Sequence, residues 1–249
     1  MSSPLDLMTV AGHSGAPAPL FVHAHPDDET VQTGSLMAWL AAHGLAVSLV
    51  TCTRGEQGEI VAGVLPESTT PAELVRVREN ELAKAVGTLG IAQAFMLGTP
   101  PARAAGLEQH DYHDSGMAWI AEGLAGPADI DDPQTFTASS LDDEVADLLA
   151  LIDQLRPTVL VGYDRLGSYG HPDHVRAHEL AVAAAQKADL PMIEVASEPD
   201  AEGFEWFDLS DQKQTVISAL RCYATQLRVV DDQIVHVGGQ HQELPLVVG

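Results

Sequence analysis

A chain of 249 residues with 45% hydrophobic side chains can bury one sizeable core, and 36 Asp+Glu against 12 Lys+Arg give it a formal charge of −24. That charge repels nucleic-acid phosphates and anionic bilayer surfaces, which argues against both as partners. Cys52 and Cys222 lie far apart without Cys-x-x-Cys spacing, residues 1–18 lack the basic start and apolar core of a signal peptide, and no apolar run of about 18 residues occurs, so a reduced cytoplasmic protein is expected.

From Leu20 onward, short apolar runs alternate with helical patterns, the signature of βαβ units and a mostly parallel sheet. LFVHA (20–24) reads as a first strand, Thr30 to His43 as a helix ending near Gly44, and AVSLVTCT (46–53) as a largely buried second strand. The polar loop RGEQGE (54–59) follows. Thr70-Pro71-Ala72-Glu73 opens the next helix, with Thr as N-cap, Pro at the first helical position and Glu three residues after the cap; Gly90 ends it. QAFMLG (93–98) is a third strand, and 98–138 reads as one long irregular stretch. Ser140 caps a helix whose apolar residues recur at helical spacing, and TVLVGY (158–163) is a fourth strand. His171-Pro172 opens a helix to about Lys187, PMIEVA (191–196) is a fifth strand, and Ser210 caps a helix to about Tyr223. QLRVV and QIVHV read as closing strands. The expected fold is a single α/β domain over 1–249: a Rossmann-like, mostly parallel sheet flanked by helices over about 19–196, with a small C-terminal α+β extension over about 197–249.

Two clusters carry chemistry. HPDDE lies just past strand one and YDRLGSYGHPDH just past strand four, and in open α/β sheets ligands bind beyond the carboxyl ends of strands. Both clusters therefore fall on one rim. His25 and Asp28, three residues apart at a strand-to-helix turn, can converge on one metal ion. His171 and His174 are one helical turn apart, so at least one can add a third ligand. Two His and one Asp with open positions is the donor set of a catalytic zinc site. Asp27, His171 and Asp173 supply the groups that metal-assisted hydrolysis needs: a carboxylate to take a proton from water, an imidazole to protonate a leaving amine, and Asp173 to tune that imidazole. Arg78 sits on the apolar stripe of its helix and needs a partner, either a carboxylate or a ligand. His23 reads as a buried, satisfied histidine and Cys52 as inert core.

The pairing of AHPDDE with GHPDH, together with VTCTRGEQGE, RENEL, HDSGMA and ALRCYATQ, resembles the PIG-L/LmbE-like family of zinc-dependent N-acetylglucosaminyl deacetylases. Within it, the chain looks most like the mycothiol-pathway enzymes that act on N-acetylglucosaminyl-inositol. The resemblance implies His25, Asp28 and His174 as metal ligands, Asp27 as general base, and His171 as general acid supported by Asp173. It further implies that Tyr169 stabilises an oxyanion and that Arg78 and Asp114 hold polar groups of the substrate. The implied activity is hydrolysis of the acetamide of an N-acetylated glycoside, with one Zn2+ per chain, Fe2+ being the second candidate, and with self-association left open. Two departures bear on the substrate: DYH replaces an Arg-containing segment before DSGM, and the stretch from Val175 to Ile217 is shorter than in the mycothiol enzymes. The readings set beside this one are an amidase cleaving thiol S-conjugates, a deacetylase of another N-acetylglucosaminide, a non-haem iron oxygenase sharing the two-His, one-carboxylate donor set, and a non-catalytic sugar-binding module.

Overall fold

The computed structural model describes residues 3–9 and 15–249, so the 1–18 segment read for a leader lies partly outside the described residues. The chain runs α1 (Pro4–Met8), β1 (Pro19–His23), α2 (Asp28–Ala42), β2 (Ser48–Thr51), α3 (Pro71–Leu89), β3 (Gln93–Met96), a hairpin of β4 (Met117–Ala121) and β5 (Leu124–Pro127), α4 (Leu141–Leu155), β6 (Val159–Tyr163), α5 (Pro172–Ala188), β7 (Met192–Val195), β8 (Phe207–Asp208), α6 (Lys213–Leu220), β9 (Leu227–Val230), β10 (Gln233–His236), β11 (His241–Glu243) and β12 (Val247–Val248).

Strands β3-β2-β1-β6-β7 form one five-stranded sheet, parallel at every pairing. Burial on both faces explains the continuous apolar runs of its central strands. Alternation along β1 sends Phe21 into the core under α2, α3 and α6, and Leu20 and Val22 into the core under α4 and α5. The strand order reverses at β1, from which the chain builds outward through β2 and β3 on one side and β6 and β7 on the other. The carboxyl ends of β1 and β6 therefore flank the crevice where such sheets bind ligands.

Local signals set the helix boundaries. Thr70 and Glu73 form the reciprocal capping box, and Gly90 closes α3 in the left-handed region at φ 79°. Ser140 caps α4 by accepting from Asp143 N. The C-terminal region shares the core rather than forming its own: Leu209, Val216, Leu220, Tyr223 and Val248 pack in one cluster with Phe21, Met37 and Leu82.

Two expectations change. The stretch 98–138 is not uniformly irregular, because it contains the β4/β5 hairpin turned by Gly123 at φ 72°. The run Met117-Ala118-Trp119-Ile120 lacks the apolar–polar alternation that marks a half-buried strand, so periodicity gave no signal there. The helix expected from Ser210 begins instead as a 3-10 turn over Ser210–Gln212 before α6. No helix among the described residues is long and apolar enough to cross a membrane.

Candidate metal centre and active site

Strand β1 ends at His23, and the chain turns through His25-Pro26-Asp27 into α2. The Asp28 carboxylate folds back so that its Oδ2 accepts the His25 backbone N–H at 2.8 Å and lies 3.1 Å from His25 Nδ1. From the adjacent β6–α5 junction, His174 brings its Nε2 to 3.3 Å from both Asp28 Oδ2 and His25 Nδ1. The three atoms form a nearly equilateral triangle. Two atoms bound to one tetrahedral zinc at about 2.0–2.1 Å stand roughly 3.3 Å apart, so the triangle has the dimensions of three metal ligands.

The protons are arranged to suit. His174 Nδ1 lies 3.2 Å from Gly167 O and must donate to that carbonyl, which leaves Nε2 as a lone pair. His25 Nε2 lies 3.1 Å from Asp173 Oδ2, which assigns its proton there and leaves Nδ1 free. Asp28 Oδ2 also accepts from Tyr163 Oη at 2.8 Å. With these tautomers two nitrogen lone pairs and a carboxylate oxygen are available to one ion, and the donor set fits a divalent metal.

His171 lies at the edge of the same cluster, with a ring nitrogen within 4.8 Å of nitrogens of His25 and His174. As N-cap of α5 its Nδ1 accepts from Asp173 N at 3.1 Å, which places the proton of the neutral ring on Nε2. Burial, and then the neighbouring His25 and His174, push its pKa down to about 2.

Asp173 departs from its expected role. Its carboxylate does not reach His171; Oδ2 accepts from Ser115 N at 2.9 Å and from His25, while Oδ1 is buried without a partner. Sequence adjacency misled here, because on a helix neighbouring side chains point about 100° apart and only the backbone of Asp173 faces His171.

Asp27 occupies φ 116°, ψ −30°, outside the usual range of a non-glycine residue. Its N–H donates to Glu29 Oε2 at 3.1 Å, and its side chain takes no hydrogen bond among the described residues. Burial, with the nearby charges of Asp28 and Glu29, holds its pKa well above the carboxylate range against the opposing pull of Arg78 and His25. A free carboxylate of raised basicity is what proton abstraction asks for.

Asp114 joins the cluster from the loop before β4. Its Oδ1 lies 3.7 Å from His25 Nε2 and accepts from Gly116 N, and its Oδ2 accepts from Gln57 N at 3.3 Å. Burial opposes ionisation, but His25 and the Gly116 N–H hold the carboxyl below its usual range. Arg78 is fully buried and pairs with no carboxylate among the described residues; its Nη2 donates to Gly58 O and Glu59 O, both at 3.0 Å, and its Nε has no partner. Arg78 therefore organises the 54–59 loop, with its charge toward Asp27 and Asp114. Tyr169 stands at the mouth, its ring centroid 5.2 Å from that of His174 and 6.0 Å from that of His171. His23 is buried with Nε2 2.9 Å from Thr33 Oγ1, but its Nδ1 lacks a partner. Burial raises the Cys52 thiol pKa, as inert core requires.

One group of positioning contacts had no role in the sequence reading. Gln226 Nε2 donates to Pro26 O at 2.7 Å, Tyr223 Oη donates to Glu29 Oε1 at 2.5 Å, and Thr225 donates through N and Oγ1 to Glu81 at 2.9 and 2.6 Å. Thr30 Oγ1 also donates to Glu29 Oε1. The YATQ segment thus fastens the turn that carries Asp27. In the sequence this segment stood out only as part of ALRCYATQ, one of the stretches that carry the family resemblance, which gave no individual role to Tyr223, Thr225 or Gln226.

The model of the PIG-L family, described as GlcNAc-PI de-N-acetylase, matches residues 20–185. The 1D-myo-inositol 2-acetamido-2-deoxy-alpha-D-glucopyranoside deacetylase of Saccharomonospora viridis is 33% identical over 260 residues, covering 91% of each chain. A deacetylase of the same name, form 1 from Catenulispora acidiphila, is 42% identical over 174 residues, covering 69% of this chain and 49% of that one. Among solved structures, N,N'-diacetylchitobiose deacetylase from Pyrococcus horikoshii shares the fold with TM-score 0.58 at 19% identity, over 83% of this chain and 69% of that chain.

Proposed function

This chain belongs to the PIG-L, GlcNAc-PI de-N-acetylase family, and on that premise we propose that it is a metal-dependent deacetylase of a neutral N-acetylglucosaminyl-inositol-like glycoside, releasing acetate and a free amine. The observation that carries the reading is the triangle of His25 Nδ1, Asp28 Oδ2 and His174 Nε2, with edges of 3.1–3.3 Å, set beside an unbonded Asp27 carboxylate.

Those three residues would hold a divalent ion, Zn2+ as first candidate and Fe2+ as second, since a two-His, one-carboxylate set suits both. When bound, the metal supplies a Lewis acid that polarises the acetamide carbonyl and acidifies water. Asp27 takes a proton from the attacking water as the C–O bond forms. Tyr169 and the Nε2–H of His171 face the negative charge that develops on the former carbonyl oxygen. As the C–N bond breaks, the Nε2–H of His171 passes to the amine nitrogen and the proton that Asp27 took from water replaces it on Nε2, so the ring ends neutral and the carboxylate ionised. Asp173 orients His25, Asp114 bounds the site from the loop before β4, Arg78 braces the 54–59 loop behind it, and the two free cysteines accord with a cytoplasmic address.

The test is acetate release from N-acetylglucosaminyl-inositol and from N-acetylglucosamine, by protein purified without added metal and analysed for its metal content. Metal-dependent release, larger for the glycoside, is the expected result; metal-independent release or none from either substrate overturns the reading.

A further inference from the structure

The β4/β5 hairpin is pinned to the site at two points. Its first strand follows Ser115, whose N–H donates to Asp173, and its second is held by Ala125 N donating to Tyr169 O at 2.9 Å. Yet its outer side chains are left to solvent: Trp119 is 50% exposed, Ile120 64% and Leu124 45%, beside Tyr169 at 38%. Among the described residues, five of the ten exposed large hydrophobics stand on this hairpin or on the 164–170 loop. Such a concentration marks a contact surface, whereas scattered exposed apolar residues need no explanation.

Its position identifies the contact. The rings of His174, Tyr169 and Trp119 succeed one another at centroid separations of 5.2 and 5.7 Å, leading from a metal-ligand candidate out to the surface. A substrate whose acetamide reaches the metal centre has its remaining part over this path. The charge pattern narrows its chemistry: residues 117–127 contain Glu122 and no Lys or Arg, Arg165 is the one cation of the 164–170 loop, and the whole chain is at −24. Anionic groups are disfavoured there, while aromatic faces favour the C–H face of an uncharged ring.

Resting on the deacetylase reading above, we infer that Trp119 and Tyr169 form the subsite for the aglycone, and that this aglycone is an uncharged ring, a cyclitol or second sugar, stacked by its C–H face on Trp119. The hairpin is thereby a specificity element of the site and Trp119 its principal contact.

The experiment uses the full-length, metal-loaded protein as wild type, Trp119→Ala and Trp119→Phe. Acetate release is measured with N-acetylglucosaminyl-inositol, its inositol-phosphate analogue and N-acetylglucosamine, and binding of each is followed separately by calorimetry. Loss of one aromatic contact predicts that Trp119→Ala lowers the preference of kcat/KM for the two-ring over the one-ring substrate by about tenfold, and that Trp119→Phe keeps most of it. The phosphorylated analogue binds more weakly than the neutral glycoside. An unchanged preference in Trp119→Ala overturns the subsite, as does tighter binding of the phosphorylated analogue. So does a change of oligomeric state on size exclusion, which makes the patch an interface between copies. If no substrate releases acetate but neutral-glycoside binding still depends on Trp119, the deacetylase reading fails and the subsite stands.

Discussion

Gln226 donates its side-chain amide to the carbonyl of Pro26 at 2.7 Å across a sequence separation of 200 residues, and so grips the residue that precedes Asp27. Beyond it, the Asp27 N–H is taken by Glu29, itself held by Tyr223. A backbone at φ 116° persists only when its surroundings over-determine it, and these contacts from both sides do so. Gln226→Ala leaves a buried carbonyl unpaired, which costs about 1–3 kcal/mol. Urea denaturation should register that loss, and kcat should fall at least tenfold with little change in KM; unaltered stability and kcat would show that the turn holds itself.

Asp27 separates chemistry from strain. Asp27→Ala and Asp27→Gly are both expected to abolish turnover while binding metal as wild type does, because neither removes a ligand. Glycine relieves the left-handed backbone that alanine keeps, so Asp27→Gly should be more stable than Asp27→Ala by about 1 kcal/mol, against the usual penalty for glycine. Loss of metal in both variants would reassign Asp27 as a ligand.

For Asp173, the contact with His25 predicts an effect on the metal rather than on the acid. Asp173→Asn weakens the anionic acceptor that fixes the His25 tautomer, and metal affinity should drop by roughly 10- to 100-fold. Competitive titration with a chelator measures it. A shifted pH–rate profile with unchanged metal affinity would restore the pairing with His171 that sequence adjacency implied.

Glu144 provides a pH signature away from the metal. Burial pushes its pKa from 4.5 up to about 8, although Arg176 Nε donates to it at 2.9 Å. With the folded pKa above the unfolded one, the native state holds the extra proton between these values. The contribution to stability is complete below about pH 4.5 and is lost as pH rises through 8, at a slope of up to about 1.4 kcal/mol per pH unit. The stability of wild type relative to Glu144→Gln should therefore decline from pH 5 to pH 8. A rise over that range would mean that Arg176 outweighs the burial.

The parallel sheet, the helix starts at Thr70, Ser140 and His171, and the pairing of His25 with Asp28 were legible in the chain, because each depends on periodicity, capping or spacing within one strand-to-helix junction; spacing left His171 and His174 open as the third ligand, and the family resemblance chose His174. The two HPD elements needed one further step, the rule that ligands bind beyond the strands' carboxyl ends, and the adjacency of β1 and β6 satisfied it. What only the tertiary structure decided lies between distant segments: Asp173 turning to His25 rather than His171, Arg78 holding loop carbonyls rather than a carboxylate, and residues 223–226 locking the turn that strains Asp27. The reason is physical. Local order follows from steric and hydrogen-bonding preferences of neighbouring residues, whereas the partner of a buried polar group is whichever complementary atom packing brings within about 3 Å, and that depends on the path of the whole chain.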